Sequence, residues 1–583
     1  VSLRFVTALA ALPFVVFVLV LHGAIPGYST PTFGQALWLM GFARSFANSP
    51  LIWIYANDIG NPMPAAIAFG LPAALPAAAF LKLGFNAADA YSLSFGVWLI
   101  LAFWGCYRLG RILNAGRILS LTAAAMWLST PMVWMHESYS ALALGMSLLP
   151  FYVMCSWAIV WDDTPSLGAS LALFVAGVIA IFMDGYTFVM FAVSAVCLLV
   201  MATFGRREPL KLPILRIALI GCAFLIAYAL YALYVGRVSY DQAPLEFFRG
   251  WGANIEFLFR PVQGLSWLSD WIGFAESREA KDYFGDSSVF TTPHAIFLVL
   301  AAIVGLAIGR GDKRVVYGFI AIGLIGFYFS LGPSFKLYTL KPAGVIDPTM
   351  PASYAPISTG TGLISENLPG FGAMRASYRW AVLGMFGMWA AFLASAAGRK
   401  SLAGWPIMVA SAVMLCNLPH QIWLDTYTTN RENMLEVEAA AASIDKNFSD
   451  GERVFFAPWG NDFFITFLAP NIRINAFNIG GDKNVAAAFD QWPVTLQAFP
   501  QREVDRTIGA NYADLVTAVL TTRAADAVAL SFIDNLAPTT SGWPVEQEFK
   551  ADLLRVADAL EANQALSVTR TDDYAIIRLR HPD

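Results

Sequence analysis

Apolar runs of about 16–22 residues recur along the first three quarters of the chain, each long enough to cross a hydrocarbon core of roughly 30 Å as a helix. They fall at approximately 5–23, 88–107, 118–134, 141–160, 168–184, 187–204, 214–235, 295–309, 315–331, 380–397 and 403–422. The pattern predicts a polytopic α-helical membrane domain of about 11 transmembrane helices over residues 1–425. One further apolar stretch, 63–84, carries prolines at 62, 64, 72 and 76. Proline breaks the helical hydrogen-bond ladder, so this stretch reads as short helices within a long loop, 24–87, rather than as a crossing.

From about Thr426 the period changes. The pattern predicts helices at 431–446, 503–522 and 545–562, and strands at 453–459, 471–477, 527–533, 566–570 and 573–580. Residues 426–583 therefore read as a C-terminal soluble α/β domain. It lacks a GxGxxG, a P-loop and a GxSxG, which points to packing or partner binding rather than catalysis of its own.

Composition agrees with this division. The 583 residues are 57% hydrophobic and 13% charged, about half the charge of an ordinary soluble domain. No basic tract with interleaved aromatics suggests nucleic acid. The five cysteines fall in or beside predicted spans without metal-ligand or disulfide spacing. The first apolar run, after Arg4, is longer than the apolar core of a signal peptide and reads as a retained first helix.

Basic residues gather on the cytoplasmic side of spans. With the N-terminus inside, Arg108, Arg111 and Arg117; Arg206, Arg207, Lys211 and Arg216; Arg310, Lys313 and Arg314; and Arg399 and Lys400 all fall on that side. The short Asp162–Asp163 turn carries none. The long loops 24–87, 236–294 and 332–379 then lie outside, with the C-terminal domain, and any chemistry belongs there.

Candidate site residues cluster in those loops. Asp58, in YANDIGNP (55–62), lies among Trp53, Tyr55 and Ile59. It reads either as an Asx-turn residue or as a carboxylate that accepts a proton from a sugar hydroxyl, with Tyr55 lining the cavity. His136 and Glu137 follow the third span. Neighbours on a helix do not share a face, so at most one of the two is expected to face a site, positioning an acceptor or holding a divalent metal; otherwise the pair reads as a hydrated loop. Asp184, in FMDGY, closes the fifth span as a solvated end or a cavity-lining group. Arg375 and Arg379, in GFGAMRASYRW (370–380), share a helix face if the tenth helix reaches back that far; they read either as guanidinium groups that bind phosphate bidentately or as side chains that snorkel to lipid headgroups. Lys336, in LGPSFK, and Arg260 are further phosphate candidates, whereas Arg237 and Arg249 read as loop surface.

The order of these parts, a first span, a long loop with an acidic residue and an NPMP segment, a second loop with His-Glu, and a closing soluble domain, resembles the GT-C superfamily of integral-membrane glycosyltransferases. The stretch LGPSFK…ENLPGFGAMRASYRW (331–380) is similar to one in bacterial GT-C-like proteins, including the YfhO type. The resemblance implies a polyprenyl-phosphate sugar as donor, a glycan or lipid as acceptor, membrane lipids as surroundings and residence in the bacterial inner membrane, with the C-terminal domain periplasmic. It matches Asp58 to the first-loop acid and Glu137 or His136 to the second-loop position. That position often holds an aspartate, from which this chain departs, and no WWDYG-type motif is present. Two other classes remain open from sequence: a flippase or transporter of lipid-linked glycans, and a non-catalytic envelope assembly protein.

Overall fold

The computed structural model describes residues 3–50, 53–162, 165–206, 211–236, 242–397, 404–502, 507–535 and 543–580. Arg207, Arg237, Arg399, Lys400 and Asp163 lie outside them, as do residues 503–506 of the helix predicted over 503–522.

Each of the predicted spans coincides with a helix. Seven are long and apolar enough to cross a membrane among the described residues: Ala87–Ile112, Ala141–Trp161, Gly185–Thr203, Lys211–Val235, Ser288–Ile308, Lys313–Ser330 and Ser377–Ala396. Arg117–Leu128 and Pro131–Tyr139 form an eighth if taken together, bent by 47° where Pro131 opens the second helix. The remaining three predicted spans are shorter apolar helices, Leu9–Leu21, Leu167–Met183 and Trp405–Cys416. In the 63–84 stretch the helix is Leu71–Lys82, whose 12 residues rise about 18 Å and fall short of a bilayer core.

The helices differ in what surrounds them. Ala381–Ala396 is buried at every position, whereas the Lys211–Val235 span has 28% of its apolar window buried. The first is a central post and the second turns most of its apolar surface outward, as a lipid-facing helix does. Small residues let the post be crossed closely. A Cβ on Gly326 would lie 2.2 Å from Gly384 N, and one on Gly387 would lie 2.3 Å from Gly323 N. Without a hydrophobic driving force between helices in lipid, such backbone approach is what holds them together.

The chain divides into two compact units, one of Val1–Ala24, Phe95–Tyr231 and Asp241–Thr426, the other of Ile25–Ser94, Ala232–Tyr240 and Tyr427–Asp583. The second unit holds a two-stranded ribbon, β1 (Tyr55–Ala56) with β2 (Ala65–Ala66), and a five-stranded mixed sheet. The sheet is built from β3 (Arg453–Ala457), β4 (Asn475–Ala476), β5 (Ala527–Ser531), β6 (Leu566–Arg570) and β7 (Tyr574–Leu579), in the order β4-β3-β5-β7-β6. β3 pairs in parallel with β4 and β5, and β7 runs antiparallel to β5 and β6. Helix Lys550–Glu561 lays Leu553, Ala557 and Leu560 on this sheet, one face at helical spacing.

Three elements differ from the sequence reading. One helix, Gln421–Ile444, runs where a span end and a separate helix at 431–446 were expected; the break falls earlier, at 417–420. The strand predicted at 471–477 shrinks to Asn475–Ala476, because helix Phe463–Asn471 ends in a turn at 472–473, where Arg473 has a φ of 56°. That helix is buried on all sides through Pro470, so no polar face marks its period. It packs on Gly34–Asn48, where a Cβ on Gly41 would lie 2.1 Å from the Thr466 carbonyl oxygen. Helix 503–522 begins later, at Tyr512.

Candidate functional site

In the first unit the candidate cations gather where the 3-10 turn Ser377–Trp380 leads into the central post. The Arg379 guanidinium lies 4.7 Å from the ring centroid of Tyr139, 4.9 Å from Tyr186 and 5.7 Å from Tyr378. Its Nε donates to the Tyr378 hydroxyl at 3.3 Å. Rings attract a cation without neutralising it. Among the described residues no carboxylate lies within ion-pair distance of Arg379.

His136 joins this group. Its Nδ1 donates to the Met132 carbonyl at 2.8 Å, which leaves Nε2 as the acceptor facing the Tyr378 hydroxyl at 3.1 Å. The Tyr378 hydroxyl also meets Ser288 Oγ at 2.7 Å, and Ser288 in turn bonds Asp286. The Trp251 indole donates to Asp286 at 2.8 Å, and the Trp251 carbonyl accepts from Tyr378 N at 2.8 Å.

The neighbouring cations are tied to the same segment. Arg375 lies 5.1 Å from the centroid of Phe247, a ring stacked on Trp251 at 3.8 Å. Lys336 is buried, and its ammonium donates to the carbonyls of Arg249, at 2.6 Å, and of Gly252. Burial pulls the Lys336 ammonium down to about 7, against the opposing pull of Glu256. Arg260 reaches Glu276 at 3.8 Å.

Asp184 is buried and caps helix Gly185–Arg206, its Oδ2 accepting from Thr187 N at 2.8 Å. The next residue but one, Tyr186, faces Arg379 with its ring and accepts from Ala376 N at 2.9 Å through its hydroxyl. Glu137 points elsewhere. It bonds His22 Nδ1, while His22 Nε2 donates to the Leu128 carbonyl at 2.9 Å, just before the bend in the broken span. As expected of adjacent residues, His136 and Glu137 serve different neighbours.

Asp58 and Tyr55 belong to the second unit. Asp58 is half-buried in the loop between β1 and β2. Burial raises its carboxyl above the ordinary aspartate value, and a hydrogen bond from the Ser45 hydroxyl partly offsets this. Its backbone lies along the edge of the large sheet: Ala476 N donates to the Asp58 carbonyl at 2.9 Å, and Asn61 N to the Ala476 carbonyl at 3.0 Å. Tyr55 stacks against Tyr234 at 5.0 Å and Trp53 at 5.6 Å.

The sequence reading missed the rings. Tyr139, Tyr186 and Tyr378 each stand within two residues of a flagged charge, in HESY, DGY and SYR, and that adjacency was the available signal. Among the described residues, no three His, Cys, Asp or Glu side chains come together as metal donors.

No protein-family model and no curated protein matches the chain. Solved structures do. Two cryo-EM classes of a mutant of the arabinofuranosyltransferase AftD from Mycobacteria match with TM-scores of 0.53 at 14% and 13% identity, over 100% of this chain and 42% of that one. The chain thus spans about two fifths of the AftD length. A crystal structure of ArnT from Cupriavidus metallidurans bound to undecaprenyl phosphate matches at 12% identity and a TM-score of 0.47, over 97% of both chains.

Proposed function

From the GT-C fold of this multi-pass membrane protein, we propose that it transfers a sugar from a polyprenyl-phosphate donor to a glycan or lipid acceptor. The observation that carries this is Arg379, a guanidinium held by three tyrosine rings and, among the described residues, in no ion pair with a carboxylate. A planar cation of this kind suits a phosphate monoester or diester, which it meets with two parallel hydrogen bonds. Arg375 adds a second guanidinium nearby, and Lys336 holds the 249–252 segment on which both depend.

In the proposed reaction the acceptor oxygen attacks the anomeric carbon, and the bond from that carbon to the donor phosphate breaks. The electron pair leaves on the phosphate, whose growing charge Arg379 stabilises. The hydroxyl proton passes to Asp58 as general base, late in the step, when the hydroxyl has become acidic. Direct displacement inverts the anomeric centre. We place residues 1–425 as the membrane domain and 426–583 as a periplasmic domain, in a bacterial inner membrane with the N-terminus inside. The one-sided basic clusters support that orientation.

A photoreactive polyprenyl phosphate tests the donor assignment on detergent-purified protein. Labelling is expected in peptides holding Tyr186 or Tyr378 and is expected to disappear in Arg379→Ala. Undiminished labelling in that variant, or labelling confined to other helices, removes the phosphate role.

A further inference from the structure

The loop that carries Asp58 has little structure of its own. Its ribbon has two pairs in register, Tyr55 with Ala66 and Ala56 with Ala65. An isolated ribbon of this size is not stable in water. Much of what fixes it comes from the C-terminal part of the chain, within the same compact unit.

Residues 58–61 run as an added edge strand beside β4, with Ile59 paired in parallel to Ala476. Regular parallel pairing around Ile59 would have Gly60 return the second bond; here Asn61 does. Gly60 is the extra residue, at a φ of 73°, where a side chain is strained. A Cβ there would also lie 3.2 Å from the Ala65 Cβ and 3.3 Å from Ile479 Cδ1. The far side of the ribbon is held by one side chain. Asn484, buried in helix Asp482–Phe489, accepts from Ala68 N at 3.2 Å and donates to the Ala66 carbonyl. Its amide thus does for residues 66–68 what a neighbouring strand would do. Tyr234 makes the third attachment, accepting from Ile67 N at 3.2 Å and donating to the Ile54 carbonyl at 2.6 Å.

We infer that Asn484 is a positioning residue for Asp58, and that the C-terminal sheet serves as the platform on which the Asp58 loop is aimed. The inference rests on the proposed function for the role of Asp58, though not for the clamp itself. Catalytic geometry is sensitive to small displacements of such a loop, and Asn484 reaches the loop through the Ala66 carbonyl and the Ala68 amide, backbone groups that side-chain changes other than proline at 68 leave in place.

Hydrogen exchange on the full-length, detergent-purified protein tests the clamp without substrate. In Asn484→Ala, peptides covering 55–68 are expected to exchange about tenfold faster or more, and those covering 453–457 and 527–531 to stay unchanged. Unchanged protection at 55–68 overturns the clamp. Equal loss in the sheet strands overturns it too, since Asn484 would then support the fold as a whole. Turnover of a radiolabelled polyprenyl-phosphate sugar supplies the second readout: kcat is expected to fall about tenfold or more with donor KM unchanged. A loosened loop with unaltered kcat overturns the positioning role. Full turnover in Asp58→Asn would instead remove the base assignment and leave the exchange result standing.

Discussion

The two candidate regions hold their charges in opposite ways. Arg379 sits at the mouth of a helix that is buried at every position, and three aromatic rings close around it. Asp58 sits half-exposed in a loop whose backbone, rather than side chain, is fixed to the edge of a sheet. The arginine, itself partly exposed, is preorganised by ring packing, which fixes the direction of its guanidinium. The carboxylate keeps contact with water and a raised affinity for its proton, which suits the proposed role of a base that is emptied and refilled. The proposed phosphate holder does no proton chemistry; the proposed base must.

Removing the base is the most severe break of this comparison. Asp58→Asn keeps shape and hydrogen bonding to Ser45 but cannot take a proton. Turnover of polyprenyl-phosphate sugar is expected to fall by about 10²–10⁴-fold, with the donor still bound. Turnover within a fewfold of wild type would show that the proton leaves by another route. Arg379→Ala comes next, with an expected loss of about 10²–10³-fold in kcat and weaker donor binding. Arg379→Lys sharpens the point. It restores the charge but not the planar fork or the ring stacking, so it should recover only part of the loss. If lysine restores full activity, the cage serves a point charge and the bidentate reading fails. Combining Asp58→Asn with Arg379→Ala asks whether the two act in one step: losses that do not add indicate one shared transition state.

Sequence made the membrane part legible because its signal is strong. A span needs about 20 apolar residues, and runs of that length rarely arise otherwise. It made Arg379 and Asp58 visible as charges beside apolar segments. It could not show that Tyr139, Tyr186 and Tyr378 close around one guanidinium, since they come from three distant segments and each reads as an ordinary interfacial aromatic. Nor could it show that Glu137 turns to His22, 115 residues away. The fully buried helix Phe463–Asn471 escaped for a different reason: with no polar face, its period disappears, and the sequence reading assigned no element between 459 and 471.

Lys336 gives a smaller effect, read in stability rather than rate. Its folded ammonium titrates near 7, against a usual 10.5, because it is buried. Between those two values the unfolded chain binds a proton that the folded chain does not. Stability therefore rises with pH across that window and is lowest below it. The thermal midpoint of purified protein is expected to be higher at pH 9 than at pH 7, by roughly 2 °C. In Lys336→Met that increment should vanish. A rise of equal size in the variant would assign the slope to other groups.

Ser45 offers the finest adjustment. Its hydroxyl bonds the Asp58 carboxylate and lowers the carboxyl's proton affinity, against the larger effect of burial that raises it. It also accepts from Asn57 N at 3.2 Å, so it steadies the same turn. Ser45→Ala removes the opposing influence and leaves burial unbalanced. The Asp58 carboxyl should then hold its proton to higher pH, and the acid limb of the pH–rate profile should move upward. At neutral pH the loss should be slight, about threefold, since only the bond to the half-exposed carboxylate and the one from Asn57 N go. A limb that moves downward would mean that the serine accepts a hydrogen bond from the protonated acid rather than donating one to the carboxylate. A limb that stays in place while the rate falls would mean that Ser45 acts on the turn at Asn57 and leaves the proton affinity of Asp58 untouched.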